Sequence, residues 1–242
     1  MTPILKVITE YCAIDIQDQT LEELAREDMP LYARRMWGYL RTAIPLFSLP
    51  ATMQPYLVGT EDNPKLKEPR YGNMYYTTKE EITDSFTLTL DDNGKGYELF
   101  CCRLVAYDDF DRQTLSPTSG VTYDSEAGTV TFNATPENPI PKGTTFDMDF
   151  YTDGSFAETL TPEEMNILGH CFQIVWQTRF NNDWLSNVSK VEDKSFSEQN
   201  RANKMKADTE RLREMRIQLA EEMRRYEQNL YFRKTFPTRG LK

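Results

Sequence analysis

A charged segment near the C-terminus, residues 197–232, limits the possible folds most strongly. It is long enough for one helix of roughly 50 Å at about 1.5 Å per residue. Its apolar residues have helical spacing but form only a narrow stripe: Met205, Leu212, Met215, Leu219, Met223, Tyr226 and Leu230. The other faces carry Arg, Lys, Glu and Gln. Because a helix inside a core would be more apolar, we expect this one to lie across a surface, to pair with a neighbouring subunit, or both.

The charge of the chain is divided unevenly. The whole chain carries −10 at pH 7, yet residues 194–242 contain 13 Lys and Arg against 7 Asp and Glu, a net charge of +6. Residues 1–193 therefore carry −16. This asymmetry suggests that the C-terminal segment contacts an acidic surface of a partner or a nucleic acid. The alternative is a solvated helix whose charges pair with one another.

Residues 1–70 predict a helical, proline-rich N-terminal arm. Asp18 or Thr20 can cap a helix whose first turn is acidic. Pro30 should interrupt that helix or restart it at a first turn. Four prolines between positions 50 and 69 prevent long regular structure there. We therefore expect this part to be a connector, or an arm lying on another surface.

Residues 71–155 have the alternation of apolar and polar side chains that is typical of strands. One hairpin is predicted to run from 85–90 through a turn at 91–94 into a returning strand at 97–107. A second is predicted to join 121–123 to 129–132. With one more strand near 146–150, about five strands at this spacing favour a small antiparallel β-sandwich or a barrel-like domain.

Two acidic residues, Asp147 and Asp149, share one face of that last strand. Their spacing is compatible with a bound cation, but an exposed acidic strand edge is the simpler interpretation. We therefore predict no cation site at these two residues.

Residues 160–232 predict a helical connector domain that completes an α+β chain. Thr161, Pro162 and Glu164 form a helix start with a capping box. The helix that follows is apolar on most of its faces, so it should pack inside the subunit against the 197–232 helix. Phe172 and Trp176 should be among its most buried residues. Residues 233–242 predict a basic, extended tail.

No catalytic, cofactor-binding or metal-binding residues are predicted, and the chain is not expected to be an enzyme. The single histidine, His170, adjoins Cys171, but neighbouring helix positions do not face each other. A hydrogen-bonded interior or interface histidine is therefore the favoured interpretation. The four cysteines lack metal-site spacing and are expected to be buried free thiols. No apolar run approaches the roughly 20 residues that span a bilayer, and no signal peptide is recognised.

The C-terminal third has a distinctive order of features. It opens with Leu160-Thr-Pro-Glu-Glu, and the first helix ends with Phe180-Asn-Asn-Asp-Trp184. A short linker leads to the polar segment 194–203, and a charged helix ends with Tyr226-Glu-Gln-Asn-Leu-Tyr231. This order, from Leu160 to about Phe236, resembles that of the head–tail connector proteins of tailed bacteriophages, which are also called neck or portal-adaptor proteins.

The resemblance implies a virion structural protein that is made in the host cytoplasm. Identical subunits would form a dodecameric ring, docked on the portal protein and in contact with other neck or tail proteins, with DNA passing through its centre. No membrane partner is implied. The charge division and the aromatic residues near the end of the chain place the expected partner interface at Arg224, Arg225, Tyr226, Tyr231, Phe232, Arg233, Lys234, Phe236 and Arg239.

Two other functions remain open from the sequence. One is a β-domain that binds a host surface or a carbohydrate and is carried on a helical stem. It would be favoured if exposed aromatics such as Tyr97, Tyr107 and Tyr123 lined one groove. The other is a hydrolase that uses His170.

Overall fold

The structure, a computed structural model, describes residues 1–14, 16, 18–47, 54–90, 94–107, 113–118, 120–188 and 197–235. For 54–55, 117, 182–188, 197–205 and 232–235 it describes the backbone alone. The described residues form helices and four small antiparallel sheets, and none of these sheets closes on itself. The expected mixture of helix and sheet is confirmed.

The helices are α1 (Ile4–Val7), α2 (Gln19–Glu27), α3 (Met29–Ala43), α4 (Gln54–Leu57), α5 (Pro162–Val188) and α6 (Ser197–Thr235). A π-helical turn, Ile8–Cys12, follows α1, and a 3-10 turn, Ile44–Leu46, follows α3. Among the described residues, none of these helices combines the length and the apolar character that crossing a lipid bilayer requires.

The strands are β1 (Thr2–Pro3), β2 (Gly59–Thr60), β3 (Asn63–Pro64), β4 (Leu66–Lys67), β5 (Arg70–Thr77), β6 (Phe86–Thr89), β7 (Leu99–Tyr107), β8 (Gln113–Pro117), β9 (Val121–Asp124), β10 (Thr129–Phe132), β11 (Thr145–Thr152) and β12 (Ser155–Phe156). The sheets have the strand orders β5-β11-β7-β8, β6-β10-β9, β1-β12-β4 and β2-β3.

The chain divides into two compact units. The first unit comprises Met1–Gln17, Met36–Lys67 and Ser155–Lys242. The second unit comprises Asp18–Arg35 and Glu68–Gly154. Residues of the predicted N-terminal segment 1–70 belong to both units, whereas the described residues of 160–232 belong to the first.

The second unit contains the two larger sheets. Of the two predicted hairpins, the one formed by β9 and β10 is confirmed, with Val130 opposite Tyr123. The other is wrong, because β6 pairs with β10, and Phe86 lies opposite Phe132. The expected partner strand, β7, instead lies between β11 and β8 in the other sheet. The apolar side of β6 therefore contributes to a core that it shares with distant strands.

The two larger sheets contribute to one apolar core. The rings of Phe132 on β10 and Phe146 on β11 lie 4.7 Å apart between centroids, so they pack across the two sheets. The fully or nearly buried members of this core are Leu90, Tyr97, Cys102, Val130, Phe132, Phe146, Met148 and Phe150. Cys102 is in the core, whereas its neighbour Cys101 on the opposite face lies 3.2 Å from the carbonyl oxygen of Glu27.

The middle strand β11 is buried on both faces. It lies between β5 and β7, and Asp147 and Asp149 are 2% and 1% exposed. The prediction of an exposed acidic strand edge is therefore wrong. Strand alternation separates the two faces of a sheet, but it does not show whether a second layer covers the polar face.

The first unit is built around the start of α5. The predicted capping box is present, since Thr161 N–H donates to Glu164 Oε2 (2.7 Å) and Glu164 N–H donates to Thr161 Oγ1 (3.2 Å). Gly169 allows the π-helical turn to approach α5 closely, because a Cβ there would lie 2.6 Å from the carbonyl oxygen of Tyr11. The N-terminal residues are thereby packed directly against the helix.

The predicted burial of α5 is confirmed at Phe172 and wrong at Trp176. Phe172 is fully buried, and its ring lies 5.8 Å from that of Tyr39. Trp176 is only half-buried and stacks on Phe180, which is itself 46% exposed. The helix is therefore not surrounded on all of its faces.

Candidate functional site

The packed face of α6 is short relative to the helix. Leu219 and Tyr226 are buried, at 5% and 4% exposure, and lie two turns apart on the side that faces α5. The Tyr226 hydroxyl donates to Glu164 Oε1 at 2.7 Å. Burial and this hydrogen bond raise the pKa of Tyr226 above its ordinary range. The predicted packing of the two C-terminal helices is confirmed.

His170 also lies at this helix–helix contact. Its Nδ1 is 2.6 Å from Glu222 Oε2, and both side chains are about one-third exposed. The favoured interpretation, a hydrogen-bonded interface histidine, is confirmed. The adjacent Cys171 is fully buried, which raises the pKa of its thiol to about 12. A thiol with that pKa is protonated at neutral pH and is a weak nucleophile.

The predicted partner residues have different positions. Arg224 and Arg225 are exposed, and Arg225 pairs with Glu221 at 3.9 Å. Tyr231 is 67% exposed, whereas the ring of Tyr226 is packed on α5 and leaves little surface for another molecule. The backbones of Phe232, Arg233 and Lys234 continue α6, and Phe236 and Arg239 lie outside the described residues.

The aromatic residues named for a binding groove do not lie together on the surface. Tyr97 is buried in the core of the second unit. Tyr123 stacks on Phe100, and its hydroxyl donates to the carbonyl oxygen of Gly94 at 2.7 Å. Only Tyr107 of the three is strongly exposed, at 68%.

A buried charge cluster in the second unit was missed by the sequence predictions. Arg103 on β7 is surrounded by three carboxylates, two from β11 and one from Asp28, which lies between α2 and α3. Its Nη1 lies 2.9 Å from Asp28 Oδ2, and its Nη2 lies 2.7 Å from Asp147 Oδ2 and 2.6 Å from Asp149 Oδ2. All four side chains are at most 9% exposed. We refer to these four residues as the charge cluster.

Neighbouring polar groups on β5 add hydrogen bonds to the charge cluster. Asn73 Nδ2 donates to Asp147 Oδ1 at 2.7 Å and to Asp149 Oδ1 at 2.9 Å. The Tyr71 hydroxyl donates to Asp149, and the Arg34 guanidinium lies over the Tyr71 ring at 4.2 Å. Both burial and Asp149 raise the pKa of Tyr71.

The charges of the cluster do not balance. Burial lowers the pKa of Arg103, but the three carboxylates outweigh it and raise that pKa overall. Burial, followed by a hydrogen bond with Asp149, raises the pKa of Asp28 to about 7. With one guanidinium among three buried carboxylates, the cluster therefore holds a proton near neutral pH.

The position of Asp28 explains what the charge cluster does. Asp28 precedes α3, and its Oδ1 accepts a hydrogen bond from Leu31 N–H at 2.9 Å. One carboxyl group thus caps α3 and links the start of that helix to Arg103 on the sheet.

Two predictions for the N-terminal helices agree with the structure. Pro30 lies near the start of α3, as expected for a helix restart, and Asp18 caps α2. Within the described part of the chain, no three His, Cys, Asp or Glu side chains are arranged to hold a metal ion.

The protonation of Asp28 predicts a pH-dependent stability of the second unit. A carboxyl group with a raised pKa in the folded state contributes most stability below its unfolded pKa, and that contribution is lost as the pH rises through about 7. The test compares the wild type with the Asp28→Asn variant, whose side-chain oxygen can still accept the hydrogen bond from Leu31 N–H. The free energy of unfolding of the wild type relative to the variant should fall by on the order of 2 kcal/mol between about pH 5 and pH 8. Urea unfolding at both pH values measures it, and a pH-independent difference would contradict the assignment.

No protein-family model, no curated protein and no solved structure matches this chain.

Proposed function

We propose that this chain is a virion structural protein of a tailed bacteriophage, forming a ring of the head–tail connector that is docked on the portal around the DNA channel. The observation that carries the proposal is the exposure of α6. This helix has 39 residues, and among its described side chains, 206–231, only Leu219 and Tyr226 are buried. At about 1.5 Å per residue it spans roughly 58 Å, far more than its buried contacts need.

A helix of this kind gains most of its stability from packing of an apolar face. In α6 the buried face extends over the two turns between Leu219 and Tyr226. The exposed remainder includes Ile217, which is 50% exposed. Assembly with other subunits would cover exposed surface of this kind.

The resemblance of the C-terminal third to head–tail connector proteins and the charge division of the chain supply the remaining parts of the proposal. Arg224, Arg225 and Tyr231 would contribute to partner contacts, together with the basic tail from Arg233 onward. We infer that the two larger sheets of the second unit form a β-sandwich. The chain would need no cofactor and catalyse no reaction. The partners would be identical subunits, the portal, neighbouring neck proteins and, through non-specific contact, packaged DNA.

The other two functions have less support. A carbohydrate- or host-binding groove lined by Tyr97, Tyr107 and Tyr123 would need all three rings on one surface, and Tyr97 is in the core. A hydrolase would need an activated nucleophile near His170. The adjacent Cys171 thiol has its pKa raised to about 12, and the histidine is engaged with Glu222.

The solution mass of the purified chain tests the proposal. We expect a discrete oligomer by native mass spectrometry and light scattering, or a defined complex with a candidate portal protein. Deletion of Arg233–Lys242 should weaken assembly at least about tenfold, equivalent to about 1.4 kcal/mol. A matched control replaces Arg233, Lys234 and Arg239 by Gln, which separates the contribution of charge from that of Phe236.

Two results would contradict this assignment. A wild-type chain that stays monomeric at all concentrations and binds no portal would exclude the ring. Normal assembly of the truncated chain would show that the tail is not the interface. Salt dependence separates the partners, because contacts with DNA phosphates weaken log-linearly with salt concentration, whereas an aromatic-anchored protein contact weakens much less.

A further inference from the structure

The second unit carries an open groove beside β6 that has acidic edges and an apolar floor. Its volume is about 610 Å³. Half-buried apolar side chains that line it are Tyr76, Ile82, Phe86 and Leu88. Its exposed charged residues are Lys79, Glu80, Glu81 and Asp84, three carboxylates against one ammonium group. We refer to this feature as the acidic groove.

The face of α6 that points away from α5 has the opposite character. It carries exposed residues spaced four or seven positions apart, which places them on one side of the helix: Lys206, Arg213, Ile217, Arg224 and Tyr231. Ile217 and Arg224 each lie two positions from a buried residue, Leu219 and Tyr226, and therefore roughly 200° around the helix. We refer to the five residues as the basic strip.

We propose that the basic strip of one copy docks in the acidic groove of a second copy. This inference rests on the proposed ring and names the surfaces that would form it. Ile217, at 50% exposure, is an apolar residue between Arg213 and Arg224. It would contact the apolar floor of the groove, while the two arginines pair with the carboxylates along its edges. A groove of about 610 Å³ has room for a few side chains, so the centre of the strip enters it.

Charge complementarity favours a second copy over nucleic acid as the partner. Residues 1–193 carry −16, and residues 194–242 carry +6, so copies of the chain attract each other through different parts. Ile217, the apolar residue at the centre of the strip, can pack on the apolar floor of the groove, whereas it would contribute little free energy to binding a phosphate backbone.

The proposed contact joins two different surfaces of the same chain. Exchanged reciprocally between two copies it closes a two-fold dimer, and repeated head to tail it generates a ring or an open filament. The proposed ring corresponds to the head-to-tail arrangement.

Charge reversal with rescue tests the inference on the full-length protein. The strip variant is Arg213→Glu with Arg224→Glu, and the groove variant is Glu80→Lys, Glu81→Lys and Asp84→Lys. Each alone should raise the protein concentration at which half of the oligomer dissociates by at least about tenfold. Combining both sets in one chain should restore that concentration to within about threefold of the wild type, because the paired charges are exchanged.

A matched control reverses two other exposed arginines of α6, Arg211→Glu and Arg216→Glu, which lie off the basic strip. It changes the net charge equally and should leave assembly unchanged. Circular dichroism establishes that every variant is folded.

If the strip variant and the groove variant each form the same oligomer as the wild type, the docking is overturned but the ring is not. Failure of the combined variant to recover also overturns the docking, and loss of DNA binding by the strip variant would then identify nucleic acid as the partner. A wild type that is always monomeric excludes both the ring and the docking.

Discussion

Replacing Arg103 with Met is expected to lower the free energy of unfolding of the second unit by about 3–5 kcal/mol. Met preserves much of the length and apolar volume of the side chain, but it leaves Asp28, Asp147 and Asp149 without their common counter-charge. Removing one partner of a buried ion pair is far more costly than losing an exposed pair, because the remaining charges stay desolvated. The variant should be less destabilised below about pH 7, where Asp28, whose pKa is raised to about 7, is protonated.

Urea unfolding can be followed separately for the two units. The three tryptophans, Trp37, Trp176 and Trp184, all belong to the first unit. Tryptophan fluorescence therefore follows the first unit during urea unfolding, while far-UV circular dichroism also records the sheets of the second. Arg103→Met should shift the circular dichroism transition and leave most of the fluorescence transition in place.

Arg34→Met is the matched control for this prediction. Arg34 is exposed, and its described contact in the same region is the one with the Tyr71 ring. Loss of this contact should lower the free energy of unfolding by less than about 1 kcal/mol, as expected for an exposed cation–π contact. If Arg103→Met cost no more than this control at neutral pH, the charge cluster would contribute little to the stability of the fold.

The features that the sequence predicted correctly are encoded within a few residues. Thr161 and Glu164 specify the start of α5 because a capping box requires two side chains three positions apart. The β9–β10 hairpin follows from a turn that contains Gly128, whose φ of +66° favours glycine. In each case the interacting groups are close in the sequence, so their pattern is sufficient.

The features that the sequence did not predict depend on distant partners. The alternation of β6 is real, but nothing local shows that it pairs with β10 rather than with β7. Asp147 and Asp149 have the spacing of a polar strand face, and their burial depends on Arg103, which is 44 and 46 residues away. A charged residue within the apolar strand at 99–107 was the available signal, because buried arginines need carboxylate partners.

Tyr226 is a helical residue whose contacts also depend on a distant part of the sequence. The narrow apolar stripe of α6 correctly contains Tyr226, yet the residue was also expected at the partner interface. The structure places the Tyr226 ring on α5, where its hydroxyl donates a hydrogen bond to Glu164. The helical spacing of the apolar residues therefore predicted the position of Tyr226 better than the charge division of the chain did. The exposed surface of α6 begins on the opposite side, at residues such as Ile217 and Arg224.

Replacing Phe172 with Ala is expected to lower the free energy of unfolding of the first unit by about 3–5 kcal/mol. Phe172 is fully buried, and its ring makes an edge contact with Tyr39. The shortened side chain leaves a cavity in addition to the lost apolar burial.

Trp176→Ala provides the comparison on the same helix. Trp176 is half-buried against the exposed Phe180, so water fills much of the space that the indole leaves, and the expected loss is about 1–2 kcal/mol. Urea unfolding followed by circular dichroism at the helical minimum measures both variants without relying on the deleted indole. A larger loss at Trp176 than at Phe172 would contradict the assigned core, because it would show that the Trp176 side of α5 is the face on which the first unit depends.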